Sequence, residues 1–336
     1  MFKKILTKYL LIWLVLVCLL AFFWSNIFGA DFFNPFFLKD EKARGNLMSA
    51  TISLTMLAVG SLLPFEEVKA VAKRWYKTLG GTCVQYLSMP LLAWGVAKLL
   101  HLEGAAFIGV VMAGCVPGAM ASNVLTMTAK GNVSYSVGLT TLATLCSPIV
   151  VPATLEFFLE GSQIDFPAQK VMISLLETVV APVIIGFTLA RCFGWWRKLA
   201  NAGAEIVANL AIIWIIAAVV SQNAANVSKT SSALLGAMLL LNVLGYLAGY
   251  FGGTALRLDA PMRRALTIEV GMQNAGLGTV LAMKYFPDQP EAALFCASYT
   301  FGCMFTGIIL AQAFRFAAES AEKKAEEENV ESKEGA

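Results

Sequence analysis

The stretch TIEVGMQNAGLG, Thr267 to Gly278, sets the carboxylate of Glu269 in an otherwise apolar run and surrounds it with glycines and the amides of Gln273 and Asn274. An acidic side chain at membrane depth costs a few kcal/mol and has to find a partner. Glycine weakens the helix that would bury it. The two features become compatible if the helix is interrupted here, because free backbone is tolerated at depth only where it lines a cavity or binds something. Unwinding at Gly271 would turn the carbonyls of Val270 and Met272 into ligands beside Glu269.

The rest of the chain supplies the membrane. Of 336 residues, 58% are hydrophobic and 14% charged, against about a quarter charged in soluble domains. The apolar residues come in blocks long enough, at roughly 20 residues, to cross about 30 Å of hydrocarbon. Ten spans can be drawn: 10–30, 47–63, 78–100, 105–129, 133–154, 168–190, 206–220, 231–252, 265–283 and 292–314. The seventh is short; the fourth and ninth are rich in glycine and small polar residues. The basic start and apolar core of the N-terminal segment read as the first membrane helix rather than a leader. With the N-terminus inside, the 25 basic residues divide 18 to 7 between the two sets of loops. That asymmetry makes both termini cytoplasmic. The net charge of +3 is spread among loops, so no nucleic acid is implied. The seven cysteines lie mostly in apolar blocks without metal-ligand spacing and read as inert buried thiols. The charged segment 317–336 reads as a solvated tail, with a frayed helix as the alternative.

Internal symmetry locates a site. CVPGAMASNVLTMTAKGN (Cys115–Asn132) and EVGMQNAGLGTVLAMKY (Glu269–Tyr285) each carry a glycine-containing break, a polar pair and an apolar half-helix. They lie about five spans apart, and an odd number of spans inverts the second copy. Irregular segments at matching positions of two halves point to a transporter site near the midplane; glycines that merely pack helices are the bland alternative. Oxygen donors are plentiful: Ser122, Asn123, Ser136, Thr140, Thr141, Thr144, Gln273 and Asn274. Ser136 and Thr140, four apart, share a helix face, and Gln85 precedes Pro90 in the third span. No Lys or Arg in the membrane blocks is placed to pair with Glu269, which leaves a bound cation or a proton. Hard cations take such oxygens, while the N-terminus of each second half-helix suits an anion.

GAMASNVLTMTAKGNVSYSVGLTTLATLCSPIVVP and IEVGMQNAGLG resemble the two signature regions of the bile acid:sodium symporter family. The resemblance implies an all-α polytopic protein of about ten transmembrane helices in two inverted five-helix repeats, 1–156 and 165–316. The broken fourth and ninth helices would cross near the midplane. Spans 1, 2, 6 and 7 would form a panel, and spans 3–5 and 8–10 a core that moves against it in alternating access. One sodium ion would be held by Ser122, Asn123, Ser136, Thr140 and Glu269. A second would take Gln85, Glu269, Gln273 and the carbonyls of Val270 and Met272. Substrate contacts would come from Asn274, Met120, Ala121 and Tyr299. Two departures touch that groove: Met120 stands where related bacterial members often carry a small hydroxyl residue, and Tyr299, in CASYTFGCMF, stands near a characteristic histidine.

The implied function is sodium-coupled symport of a small organic anion in the inner (plasma) membrane, with proton coupling through Glu269 as the alternative. No obligatory protein partner is evident. An intramembrane enzyme would need a partnered His, Asp or metal cluster beside Glu269, and a receptor or channel would not need an inverted repeat. Glu177, the second membrane acid, stands apart from the polar constellation and reads as cavity lining or interface. His101 reads as an exposed loop residue. Trp75, Trp195 and Trp196 read as interfacial anchors, and FEEVKAVAKRWYK (65–77) as an amphipathic surface stretch.

Overall fold

Helix boundaries follow capping residues and prolines. Asp40 accepts from Ala43 N–H at 3.0 Å and opens α2 (Glu41–Leu62). Asn132 accepts from Tyr135 N–H and opens α6 (Val133–Leu159). Asp259 accepts from Met262 N–H, with Pro261 in the first turn, and opens α11 (Ala260–Gly271). Each side chain satisfies a donor that a helix start leaves orphaned. The remaining helices are α1 (Leu10–Phe28), α3 (Trp75–Leu99), α4 (Gly104–Cys115), α5 (Ala121–Thr128), α7 (Ala168–Leu175), α8 (Ala181–Cys192), α9 (Gly194–Gln222), α10 (Ser232–Ala255), α12 (Ala275–Tyr285) and α13 (Glu291–Glu334). This computed structural model describes residues 10–28, 40–66, 69, 74–160, 166–222 and 232–334. The end of the expected first span and six residues of the amphipathic stretch, 67, 68 and 70–73, fall outside them.

The chain is an all-helical, multi-pass membrane protein. Among the described residues, six stretches are long and apolar enough to cross a bilayer: Gly45–Leu62, Val133–Leu159, Ala168–Cys192, Gly194–Ser221, Leu234–Ala255 and Glu291–Glu322. Large apolar side chains such as Leu87, Ile149, Phe157 and Phe251 face outward, an arrangement suited to hydrocarbon and costly in water. Where Pro148 removes a backbone donor inside α6, the Ser147 hydroxyl donates to the Thr144 carbonyl at 2.7 Å and takes its place.

Three sequence expectations need correction, and the sixth span holds a feature the sequence did not show. The seventh span is not short: α9 runs for 29 residues, because Trp195 to Glu205 is too polar for a hydropathy window yet contains good helix formers. The tail is helical, since α13 continues to Glu334 through an Ala- and Glu-rich segment. Its exposed start is pinned to the α5–α6 corner by Lys130, whose Nζ lies 2.6 Å from Glu322 Oε2. Cys83 and Cys192 are exposed rather than buried, as an apolar thiol can be where the exposed surface faces lipid. The sixth span contains a π turn, Leu176–Val180, joining α7 to α8 with Glu177 exposed on it.

Two packed groups result. α2 lies against α8 and α9, and α9 against α1; α3, α4, α6 and α10–α13 pack on one another, and the largest buried cluster runs through both groups. The α2–α8 seam depends on glycine. A Cβ on Gly60 would stand 2.1 Å from the Val183 carbonyl oxygen, and one on Gly186 would stand 2.2 Å from that of Leu57. Gly60→Ala and Gly186→Ala should each lower the thermal midpoint in detergent, by about 1–3 kcal/mol of overpacking. Gly95→Ala, with nothing within 4 Å of its added Cβ, should leave the midpoint unchanged or raise it. Equal midpoints for all three variants would refute this packing.

Candidate ion site at the paired helix breaks

The first break is made by proline. A residue before proline is pushed towards extended geometry, and Val116, preceding Pro117, has φ −74° and ψ 158°, which ends α4 at Cys115. The chain re-enters helix when Ser122 N–H reaches the Ala119 carbonyl and Asn123 N–H that of Met120. The second break lies one residue later than the sequence suggested. Gly271 is the last residue of α11, Met272 is extended at φ −112°, and the Asn274 side chain caps α12 by accepting from Leu277 N–H at 3.1 Å. In the first copy the polar pair, Ser122 and Asn123, lies inside α5; in the second, Gln273 and Asn274 form the break itself.

The two breaks pair with each other. Ala119 N–H donates to the Met272 carbonyl at 2.8 Å and Asn274 N–H to that of Pro117 at 2.7 Å. Gly118 and Gln273 face each other in an antiparallel bridge. This exchange supplies what water cannot at that depth. It also brings Glu269 against Gly118, where a Cβ would stand 2.1 Å from the carboxylate.

Glu269 is fully buried. The Ser122 hydroxyl donates to its Oε2 at 2.5 Å and the Thr140 hydroxyl lies 2.6 Å from its Oε1. Thr140 is also 3.1 Å from the Ser136 carbonyl, and Ser136 Oγ accepts from Thr126 at 3.2 Å. Among the described residues the ion pairs join Lys130 and Arg315 to Glu319 or Glu322, and none reaches Glu269. On the other side, Gln85 donates to Gln273 Oε1 at 3.4 Å and Gln273 to the Val270 carbonyl at 2.7 Å. Gln85 Oε1 and Asn123 Oδ1 are among the buried side-chain atoms with no hydrogen-bond partner. Orphaned oxygens beside an unpaired carboxylate fit a small hard cation, which binds carboxylate, hydroxyl and carbonyl oxygen together. Among the described residues no three His, Cys, Asp or Glu cluster as transition-metal ligands.

A crevice reaches this site between the two packed groups. Val59 and Leu63 of the α2 end and Val183 of α8 form one wall; Met120, Asn123, Val137, Thr140, Thr141 and Thr144 form the other. Met120, Ala121 and Asn274 are half-buried. Tyr299 is elsewhere: it is fully buried and its hydroxyl donates to the Gly271 carbonyl at 2.9 Å. Glu177 and His101 take no part, His101 being exposed at φ 52°. Sequence reasoning missed Thr126, Val59, Val183 and Asn242. Of these only Asn242, a lone amide in an apolar span, carried a visible signal.

Comparison with known proteins follows the same lines. The family model described as "Sodium Bile acid symporter family" matches residues 50–230, which include Gln85, Ser122 and Thr140 and stop before Glu269. The chain is 34% identical over 260 residues to the sodium-dependent transporter YocS of Bacillus subtilis (strain 168), covering 77% of this chain and 80% of that one. It is 32% identical over 267 residues to "Probable sodium/metabolite cotransporter BASS1, chloroplastic" of Arabidopsis thaliana, with 80% and 66% covered. It is 27% identical over 250 residues to the hepatic sodium/bile acid cotransporter of Homo sapiens, with 71% and 70% covered.

The close approach at Gly118 generates a test. Gly118→Ala should lower the thermal midpoint clearly, because the new methyl needs the space of the Glu269 carboxylate. Gly276→Ala, whose nearest neighbour would be 3.7 Å away, should not. Comparable midpoints would mean that the carboxylate does not sit against Gly118.

Proposed function

The chain belongs to the sodium bile acid symporter family, and on that premise we propose that it couples sodium entry to uptake of a small organic anion by alternating access. It is a transporter and not an enzyme. The observation that carries the coupling is the unpaired, fully buried Glu269 with the orphaned oxygens of Asn123 and Gln85 around it.

In this reading one sodium ion takes Ser122, Asn123, Ser136, Thr140 and Glu269. The other takes Glu269, Gln85, Gln273 and the carbonyls of Val270 and Met272, after a half-turn of the Gln273 amide frees Val270 and offers its own oxygen. The paired breaks are the crossing point of two inverted five-helix repeats, 1–156 and 165–316. The group of α1, α2, the α7–α8 span and α9 acts as panel and the other helices as moving core. Both termini lie in the cytoplasm of an inner-membrane protein, and the tail 317–336 extends from the core.

The substrate enters the crevice, contacting Met120, Ala121 and the Asn274 region. Its walls combine apolar side chains with threonine hydroxyls and hold no Lys or Arg, so the anionic group is met by half-helix N–H groups. Hydroxy or keto acids, or a sterol acid, have that chemistry. Two sodium ions with a monoanion move one net positive charge, which the membrane potential drives at about 2.3 kcal/mol per 100 mV.

Ion binding can be tested without a substrate. Thermal unfolding in matched sodium and potassium series should show a sodium-specific rise, on the order of 1.4 kcal/mol per site at ten times the dissociation constant. Glu269→Gln should remove the rise and Glu177→Gln should keep it. Equal midpoints in the two salts would overturn sodium coupling in favour of protons. In vesicles, Glu269→Ala should abolish anion uptake driven by a sodium gradient.

A further inference from the structure

The carbonyls at the end of α11 are not treated alike. Those of Val270 and Met272 each accept one hydrogen bond, from Gln273 Nε2 and Ala119 N–H, leaving each a lone pair. The Gly271 carbonyl between them accepts two, from Asn242 Nδ2 at 2.7 Å and from the Tyr299 hydroxyl at 2.9 Å. Both donors are fully buried, one on α10 and one on α13. The Thr306 hydroxyl lies 2.5 Å from Asn242 Oδ1 and so fixes which end of that amide faces Gly271. The Tyr246 hydroxyl stands 3.1 Å from Thr306 Oγ1, while the Tyr246 ring occupies the space a Cβ on Gly271 would need.

We propose that Asn242 and Tyr299 are positioning residues that set the cation affinity of the break without touching the ion, by anchoring the Gly271 carbonyl from behind; this rests on the sodium-site reading above. The anchor holds the peptide between Gly271 and Met272 in one orientation, with its oxygen turned towards α10 and α13. The carbonyls on either side are thereby presented in the geometry a cation needs. Without the anchor, each binding event has to order that peptide, and preorganisation is lost as affinity. Partners outside the ligand set tune metal sites in the same way. Two saturating donors also withhold Gly271 from the ion, so the site keeps a fixed number of carbonyl ligands.

The test uses purified full-length protein and sodium, lithium and potassium chlorides at constant ionic strength. Tyr299→Phe deletes one hydroxyl, and Thr306→Val frees the Asn242 amide to turn over. Each should raise the half-saturating sodium concentration, read from the thermal midpoint, by about three- to tenfold, and should change the ratio of sodium to lithium response. Thr306→Ser, which keeps the hydroxyl, should restore the wild-type curve. The proposal is overturned if both variants lose stability in potassium yet keep the wild-type half-saturating sodium concentration and ion ratio, the signature of a packing role alone. A wild-type protein with no sodium response would instead overturn the sodium-site reading and, with it, this one. A wild-type response with unchanged variants would overturn only the anchor.

Discussion

Two interrupted helices completing each other's hydrogen bonds is the constraint on which the rest of this molecule depends. Neither break is tenable alone at membrane depth, where an unpaired backbone group costs several kcal/mol. Paired through Ala119 with Met272 and Asn274 with Pro117, the strands form a minimal two-bond ladder. α4, α5, α11 and α12 then have to meet at one point. That meeting brings Ser122 to Glu269 across 147 positions of sequence and explains why position 118 has no room for a side chain.

The two breaks resemble each other in sequence and differ in physics. Proline makes the first, and its polar pair is folded into the opening turn of α5. Glycine closes α11 at the second, and Asn274 serves as the cap of α12. Only the second contributes a carboxylate. The first contributes hydroxyls and an amide oxygen, so the charge is placed between the two halves and shared by both. The anchoring of Gly271 from α10 and α13 has no counterpart among the bonds at Pro117 to Ala119, consistent with the charged copy needing the more rigid frame.

Legibility in the sequence followed the range of the interactions involved. Six of the apolar spans, both breaks and the isolation of Glu269 were readable, because hydropathy, glycine and proline placement and the scarcity of basic residues at depth are local properties. The length of α9 was not, since Arg197, Lys198 and Glu205 lower hydropathy without weakening a helix. The π turn carrying Glu177 left no local mark. Tyr299 could be suspected of importance from its place in the tenth span, but its partner is the carbonyl of Gly271, 28 residues away. No periodicity reports which face of α13 meets α11. Asn242 was visible as a polar residue among leucines, whereas its purpose required the fold.

Charge balance links the ion site to the crevice. The crevice walls carry no Lys or Arg, so under the proposed anion symport the attraction for the anion comes from half-helix N-termini and from the cations proposed beside Asn123 and Thr140, which also line the crevice. With Glu269 ionised and no cation bound, the local field is negative and repels a carboxylate. Under the proposed two-sodium reading, one sodium ion neutralises it and a second makes it positive. A neighbouring anion then returns the ensemble to neutrality, at short range and in a poorly screened environment where such terms are large. On that reading sodium dependence of anion affinity needs no conformational relay, because the bound cations themselves supply the positive charge that the anion requires.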